Sequence, residues 1–208
     1  MPSPTGPLLI TKGANWIADY RGSTTPANTR DMTQTPLYLF RALDREFQFT
    51  LDAAALPETA LCQKFLTPDI DALRVDWGDF ISPSIRSPWA WLNPSYSHIG
   101  PWVDKAIEQQ GRGIGTVMLV PQDTSTEWYP GERASEVRHI TGYHDQHGKW
   151  RNGQVNFINK ATGEEMKGDP KGSMFLIFAP NWRGECRIRD ISKLTLLLAG
   201  AEPISAAA

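Results

Sequence analysis

The run Thr116-Val-Met-Leu-Val120 constrains the fold more than any other stretch of the chain. It is short, nearly continuous in apolar character and β-branched at both ends. Such a run is typical of a strand covered on both faces, as in a sheet with helices packed above and below. Its surroundings agree. Thr35 is suited to cap a helix and Pro36 to its first position. Leu37, Phe40 and Leu43 then share one face, so residues 36–46 read as an amphipathic helix. Residues 47–51 alternate and read as a strand ending at Asp52. A short strand is expected over 62–66 and another over 89–92. Ser97 can cap a helix over 98–110 that buries Trp102, Val103, Ala106 and Ile107. Strands dominate afterwards, at 137–141, 155–158 and 174–178, and residues 159–163 carry a turn signal. The expected fold is an α/β sheet, parallel early, with an antiparallel pair near one edge. Residues 1–30, rich in Pro, Gly, Ser and Thr, read as an irregular arm. Residues 31–200 read as one domain and 201–208 as a loose tail.

Composition narrows the class. Apolar residues make up 40% and charged residues 21% of the 208, an ordinary globular balance. No apolar run approaches the ~18 residues of a membrane span. No basic segment leads into an apolar one at the N-terminus, so a cytoplasmic protein is expected. Cys62 and Cys186 are far apart and read as reduced thiols. A formal charge of −2 argues against a protein that coats nucleic acid. It leaves room for an enzyme meeting DNA through one local basic face. Lys149 with Arg151, Lys167 with Lys171, and Arg183, Arg187 and Arg189 are candidates for that face, and equally for scattered solvated charge. His139, His144 and His147 match no common zinc spacing, so no metal is expected. Phosphate-loop, Ser-His-Asp and CxxC signatures are absent.

The expected strands end on polar residues. Asp52 follows FQFTL, Asn93 follows WAWL, and PQDTS (121–125) follows TVMLV. Ligands of open α/β sheets bind beyond the carboxyl ends of the strands, so these ends form a candidate pocket. Within it, Asn93-Pro-Ser-Tyr96 is chemically suggestive. The Asn93 side-chain oxygen and the Pro94 carbonyl are two acceptors on a turn that proline stiffens. Together they suit an NH₂ group, and the Tyr96 ring offers a surface for a planar partner. An ordinary turn with Tyr96 packed in the core would use the same four residues.

From Thr35-Pro36 with LYLFRAL onward, the chain resembles the phage-type DNA N-6-adenine methyltransferases. FQFTLDAAA (47–55), CQKFLT (62–67), DALRVDW (71–77), NPSYSHIGPWVDKAIE (93–108), TVMLVPQDTSTEWY (116–129), GQVNFINKATGEE (153–165) and KGSMFLIFAP (171–180) continue the likeness in order. The resemblance implies a Rossmann-like methyltransferase sheet that uses S-adenosyl-L-methionine on double-stranded DNA. Thr35 and Pro36 resemble the segment at the methionine end of that cofactor. Asp52 and Ala53 take the place of its strand-end motif, and Asp71, or Asp76 with Trp77, falls near its adenosine. Asn93, Pro94, Ser95 and Tyr96 match the catalytic (D/N/S)-P-P-(Y/F/W) motif. Ser95 replaces the usual second proline, and LDAAA lacks the glycines of the common cofactor loop. The loop 121–128, with Asp123, Thr124, Ser125 and Trp128, is expected to close over the target base or its phosphates, and would equally suit an ordinary surface loop. Segment 147–151 and its flanking strands are expected to help read the target without a separate recognition domain. Cytosine N4, a glutamine amide, or a non-catalytic DNA-binding module are the alternatives. Oligomeric state is left open.

Overall fold

The computed structural model describes residues 33–159, 162–166 and 171–201. The expected arm, most of the expected tail and Lys167 lie outside them. Strand β1 (Thr33–Gln34) leads into helix α1 (Leu37–Phe47). Pro36 occupies the cap position and no side chain caps the helix, so the expected role of Thr35 as cap is corrected. Its hydroxyl is turned instead toward Asn93. The buried face of α1 is Leu39, Phe40 and Leu43, while Leu37 is 47% exposed.

Helix α1 runs through Phe47 and stops at Gln48, whose φ of 53° is left-handed. The expected strand over 47–51 therefore shrinks to β2 (Leu51–Asp52). The Phe47/Phe49 alternation has another origin, an aromatic cluster. Phe47 lies 4.6 Å from Trp89, and Phe49 lies 5.5 Å from Trp91. The strand expected over 62–66 reduces to a single bridge between Phe65 and Asp52. A 3₁₀ turn follows at Trp77–Phe80, then β3 (Trp89–Leu92) and helix α2 (Gly100–Gly111). Ser97 does not cap α2. Ile99 holds that position without a side-chain hydrogen bond, and the helix starts two residues later than expected.

Strand β4 (Gly115–Pro121) contains the apolar run, and β5 (Glu136–Thr141) follows. Short strands β6 (Tyr143–His144) and β7 (Trp150–Arg151) form an antiparallel hairpin. Strand β8 (Ile158–Asn159) pairs with β1, so the ladder expected over 155–158 forms only at its end, although Val155 and Phe157 are buried. Strands β9 (Ser173–Phe178) and β10 (Arg187–Ser192) and helix α3 (Lys193–Ala201) complete the order.

The main sheet has six strands in the order β10-β5-β9-β4-β3-β2. Strands β2, β3 and β4 are mutually parallel, and β10 is parallel to β5. Strand β9 is antiparallel to both β4 and β5. The expected antiparallel edge pair is thus corrected: one reversed strand sits inside the sheet. The reason is visible in SMFLIF, every residue of which is buried. Such a strand needs cover on both faces and a partner on each flank. The polar, mostly exposed RIRDIS takes the edge instead.

Two apolar clusters flank the sheet. Met118 and Val120 join Val103 and Ala106 of α2 on one face; Val117 and Leu119 join Leu39 and Leu43 of α1 and Leu196 of α3 on the other. The period of two in β4 feeds both clusters, as its sequence required. Each fully buried Leu or Val contributes about 1.5–3 kcal/mol, so this double layer supplies the main force holding the sheet. Because β5 is antiparallel to β9, it points the same way as β2, β3 and β4. The carboxyl ends of all four therefore share one edge.

Candidate active site

That edge carries a cavity of about 410 Å³, within the usual range of small-molecule sites. Thr35, Asp52, Ala53, Asp71, Asn93, Pro94 and Ser95 all line it, although they are spread over 60 positions of sequence. Asp52 ends β2 and Asn93 follows β3, which are adjacent parallel strands. Thr33 and Gln34 of β1 and the following Thr35 close one side.

The Asn93 carboxamide is held in place. Its Nδ2 donates to the Thr35 hydroxyl oxygen at 3.0 Å, and Thr35 is buried. This uses one of the two amide N–H donors and fixes which end of the carboxamide faces Thr35. Pro94 is buried and fixes the turn. At Ser95, where a second proline would stiffen the loop, the hydroxyl oxygen accepts from the Ser97 N–H at 3.4 Å.

Asp52 is 3% exposed. Its Oδ2 accepts from the Leu61 N–H at 3.0 Å and its Oδ1 from the Ala54 N–H at 3.4 Å. Burial pushes its pKa up to about 6, against these two hydrogen bonds, which favour the ionised form. The carboxylate therefore shapes the loop from Ala53 to Leu61 and faces the cavity. Asp71 lies at the rim with φ of 55°, and its carboxylate pairs with Arg74 at 3.0 Å.

Other expected site residues stand apart. Pro36 is occupied in starting α1, where its carbonyl accepts from Leu39 and Phe40. Asp76 caps the 3₁₀ turn through the Gly78 N–H and pairs with Arg112, away from the cavity lining. Tyr96 is half-buried, packs against both apolar clusters, and meets Phe157 edge-on at 5.9 Å. It does not line the cavity. Asp123, Thr124, Ser125 and Trp128 follow β4 at the same sheet edge but outside the lining. Lys171 at 2.8 Å and the Ser125 hydroxyl at 2.7 Å hold the Asp123 carboxyl down at about 2. Trp128 packs on the core beside Gly100.

The residues missed in the sequence are mostly apolar walls: Ala54, Ala55, Leu61, Leu66, Trp91 and Trp102. Ala54 and Ala55 were within reach of inference, since small side chains after a strand end admit a ligand close to the backbone. Leu61 and Leu66 come from a loop that returns beside β2, and only the folded backbone reveals that. Among the described residues no group of three or more His, Cys, Asp or Glu is placed to hold a metal ion. No helix among them is long and apolar enough to cross a membrane.

A buried carboxylate, an oriented carboxamide and a Trp-lined apolar wall thus meet at the strand ends. Across residues 22–201 the chain matches the family described as DNA N-6-adenine-methyltransferase (Dam). The chain belongs to that family. Two phage proteins, each called DNA N-6-adenine-methyltransferase, are similar to it. One, from Escherichia phage T1, is 34% identical over 173 residues, covering 80% of this chain and 70% of that protein. The other, from Haemophilus phage HP1 (strain HP1c1), is 31% identical over 163 residues, covering 76% and 84%. The family match runs from before β1 to the end of α3, so it takes in the whole cavity and every strand of the sheet.

Proposed function

We propose that this family member transfers a methyl group from S-adenosyl-L-methionine to N6 of an adenine flipped out of duplex DNA, on a Rossmann-like sheet. The observation that supports the reading is the Thr35–Asn93 hydrogen bond at 3.0 Å, which holds the Asn93 carboxamide among the residues that line the cavity. The cavity suits the cofactor. Its apolar and Trp-containing wall fits an adenosine, and the small Ala53, Ala54 and Ala55 admit a ligand close to the backbone. Asp52 and Asp71 are the carboxylates in reach of hydroxyl or amine groups there. When bound, the cofactor supplies an electrophilic methyl on a sulfonium.

The chain itself handles the amine. Adenine N6 is a poor nucleophile because its lone pair is delocalised into the ring. The Asn93 carbonyl oxygen and the Pro94 carbonyl accept its two hydrogens and favour a pyramidal nitrogen as positive charge develops. Fixed dipoles of this kind are each worth about 2.7–4 kcal/mol. No covalent enzyme intermediate is needed, and the methylated nitrogen returns to neutrality by releasing one of its two protons to solvent. Flipping the base costs a few kcal/mol. Tyr96 stands outside the cavity lining and meets Phe157 edge-on, so the reading requires the exposed part of its ring to take the base, returning about 1–3 kcal/mol by stacking. The loop holding Asp123, Thr124, Ser125 and Trp128 closes over the base or its phosphates.

Sequencing that detects modified bases, applied to DNA from cells expressing the chain, tests the reading. N6-methyladenine is expected with wild type and is lost with Asn93→Ala, while the variant keeps its fold by circular dichroism. N4-methylcytosine, no modified base at all, or near-wild-type turnover of Asn93→Ala would overturn it.

A further inference from the structure

Trp150 is 58% exposed, and it stands on a hairpin that the sheet aims in a particular direction. Strand β5 ends at Thr141 and the β6–β7 hairpin follows at once. Since β5 runs parallel to β2, β3 and β4, the hairpin leaves from the edge that carries Asp52 and Asn93. Strands β9 and β4 separate β5 from β3, which puts its root roughly 14 Å from the strand before Asn93 at ~4.8 Å per strand.

The hairpin is stiff. A Cβ on Gly142 would lie 2.4 Å from the Trp150 ring, and one on Gly153 would lie 2.6 Å from the Thr141 backbone. At the tip, Asp145 accepts from the His147 and Lys149 N–H groups at 3.0 Å each and from Arg151 Nε at 2.8 Å. The indole meets the His144 ring edge-on at 5.1 Å, so its plane is set. Beside it opens a second cavity of about 360 Å³, lined by Tyr143, Trp150, Arg151, Asn152, Asn156 and Lys193. The Asn152 oxygen accepts from the Gln154 N–H at 3.2 Å, which points its NH₂ to other acceptors. Asn156 Nδ2 donates to Glu165 at 3.1 Å, which points its oxygen to other donors. A carboxamide donor, a carboxamide acceptor, the hairpin's Lys149 and an exposed indole match the edge, phosphate and face of a nucleotide.

We propose that the β6–β7 hairpin and its cavity form a second DNA-contact site, which takes the strand next to the target adenine and stacks a base on Trp150. The inference rests on the function proposed above and adds an element to it. Held rigidly, the indole loses little freedom on stacking. Asn152 and Asn156 then meet a base edge, and Lys149 meets a phosphate, while Lys193 donates to the Gln154 carbonyl and supports the cavity wall.

The test is anisotropy of a fluorescein-labelled duplex oligonucleotide, with wild type, Trp150→Ala, Trp150→Phe and the double variant Asn152→Ala/Asn156→Ala. Calorimetry with S-adenosylhomocysteine and a methyl-incorporation assay accompany it. Trp150→Ala should bind the duplex about 5- to 150-fold more weakly, the range of one lost stacking contact. Trp150→Phe should retain most of the affinity, the double variant should also bind more weakly, and cofactor-product affinity should not change. Trp150 is exposed, so thermal melts should stay close to wild type; if Trp150→Ala does not fold, Trp150→Phe and the double variant decide. Duplex affinity equal to wild type in Trp150→Ala, or in the double variant should the former not fold, overturns the inference. If wild type binds duplex through Trp150 but transfers no methyl, this site stands and the proposed function falls. If wild type methylates DNA and none of the variants weakens binding, the reverse holds.

Discussion

Replacing Thr35 by Val keeps the shape of a buried side chain and removes one acceptor. In the structure that acceptor is the partner of Asn93 Nδ2, at 3.0 Å. The net worth of such a bond is about 0.5–1.5 kcal/mol. If it serves to aim the carboxamide, its loss appears in kcat rather than in ligand affinity. At ~1.4 kcal/mol per tenfold, kcat should fall about 2- to 12-fold. That is well short of the ~10²–10³-fold expected when the Asn93 dipole itself is deleted. Thr35→Ser, which keeps the hydroxyl, should recover most of the rate. The assay is steady-state methyl transfer to duplex DNA, with S-adenosylhomocysteine affinity measured in parallel. A weakened cofactor affinity with unchanged kcat would refute the positioning argument. It would assign Thr35 to the cofactor instead, as the resemblance in its sequence implies. An effect as large as that of Asn93→Ala would also refute it, since one neutral hydrogen bond cannot account for so much.

Asp52 should make stability depend on pH. Its folded-state pKa is raised from 3.8 to about 6, so the folded protein favours the protonated form. The stabilisation, about 3 kcal/mol, is fully present below the unfolded value and is lost as pH rises through about 6. Urea melts should show wild type losing stability relative to Asp52→Asn between pH 4 and 7; a pH-independent difference would contradict this. Gly200→Ala tests the contact between α1 and α3, because a Cβ there would lie 1.9 Å from the Tyr38 carbonyl oxygen. Overpacking of this kind should cost about 3 kcal/mol and lower Tm by roughly 6–12 °C by calorimetry.

The sequence went furthest where a residue's role follows from its own chemistry and its immediate neighbours. The two-faced burial of β4 was readable from TVMLV, because strand periodicity and apolar continuity are local properties. The place of Asn93-Pro94 just after the strand that ends at Leu92 was readable for the same reason. Helix α3 was not. KLTLLLAGA has almost no polar face, so no amphipathic period marks it, and its burial comes from docking Leu196 and Gly200 on α1. Strand β10 was missed because an exposed, charged edge strand looks like a loop until β5 pairs with it. The capping roles of Thr35 and Ser97 were wrong in an instructive way, since a hydroxyl goes to whichever partner the fold brings closest.

By itself, then, the sequence determined the layered α/β class, the strand-end position of Asp52 and Asn93, and the chemistry those side chains can offer. The tertiary structure decided that β9 enters the sheet reversed between β4 and β5, that Thr35 clasps Asn93, and that the β6–β7 hairpin leaves from the cavity edge. The physical reason is range. Periodicity, turn stiffness and hydrogen-bonding capacity act over a few residues, whereas strand order and the partner of a buried hydroxyl depend on which distant segments share one core.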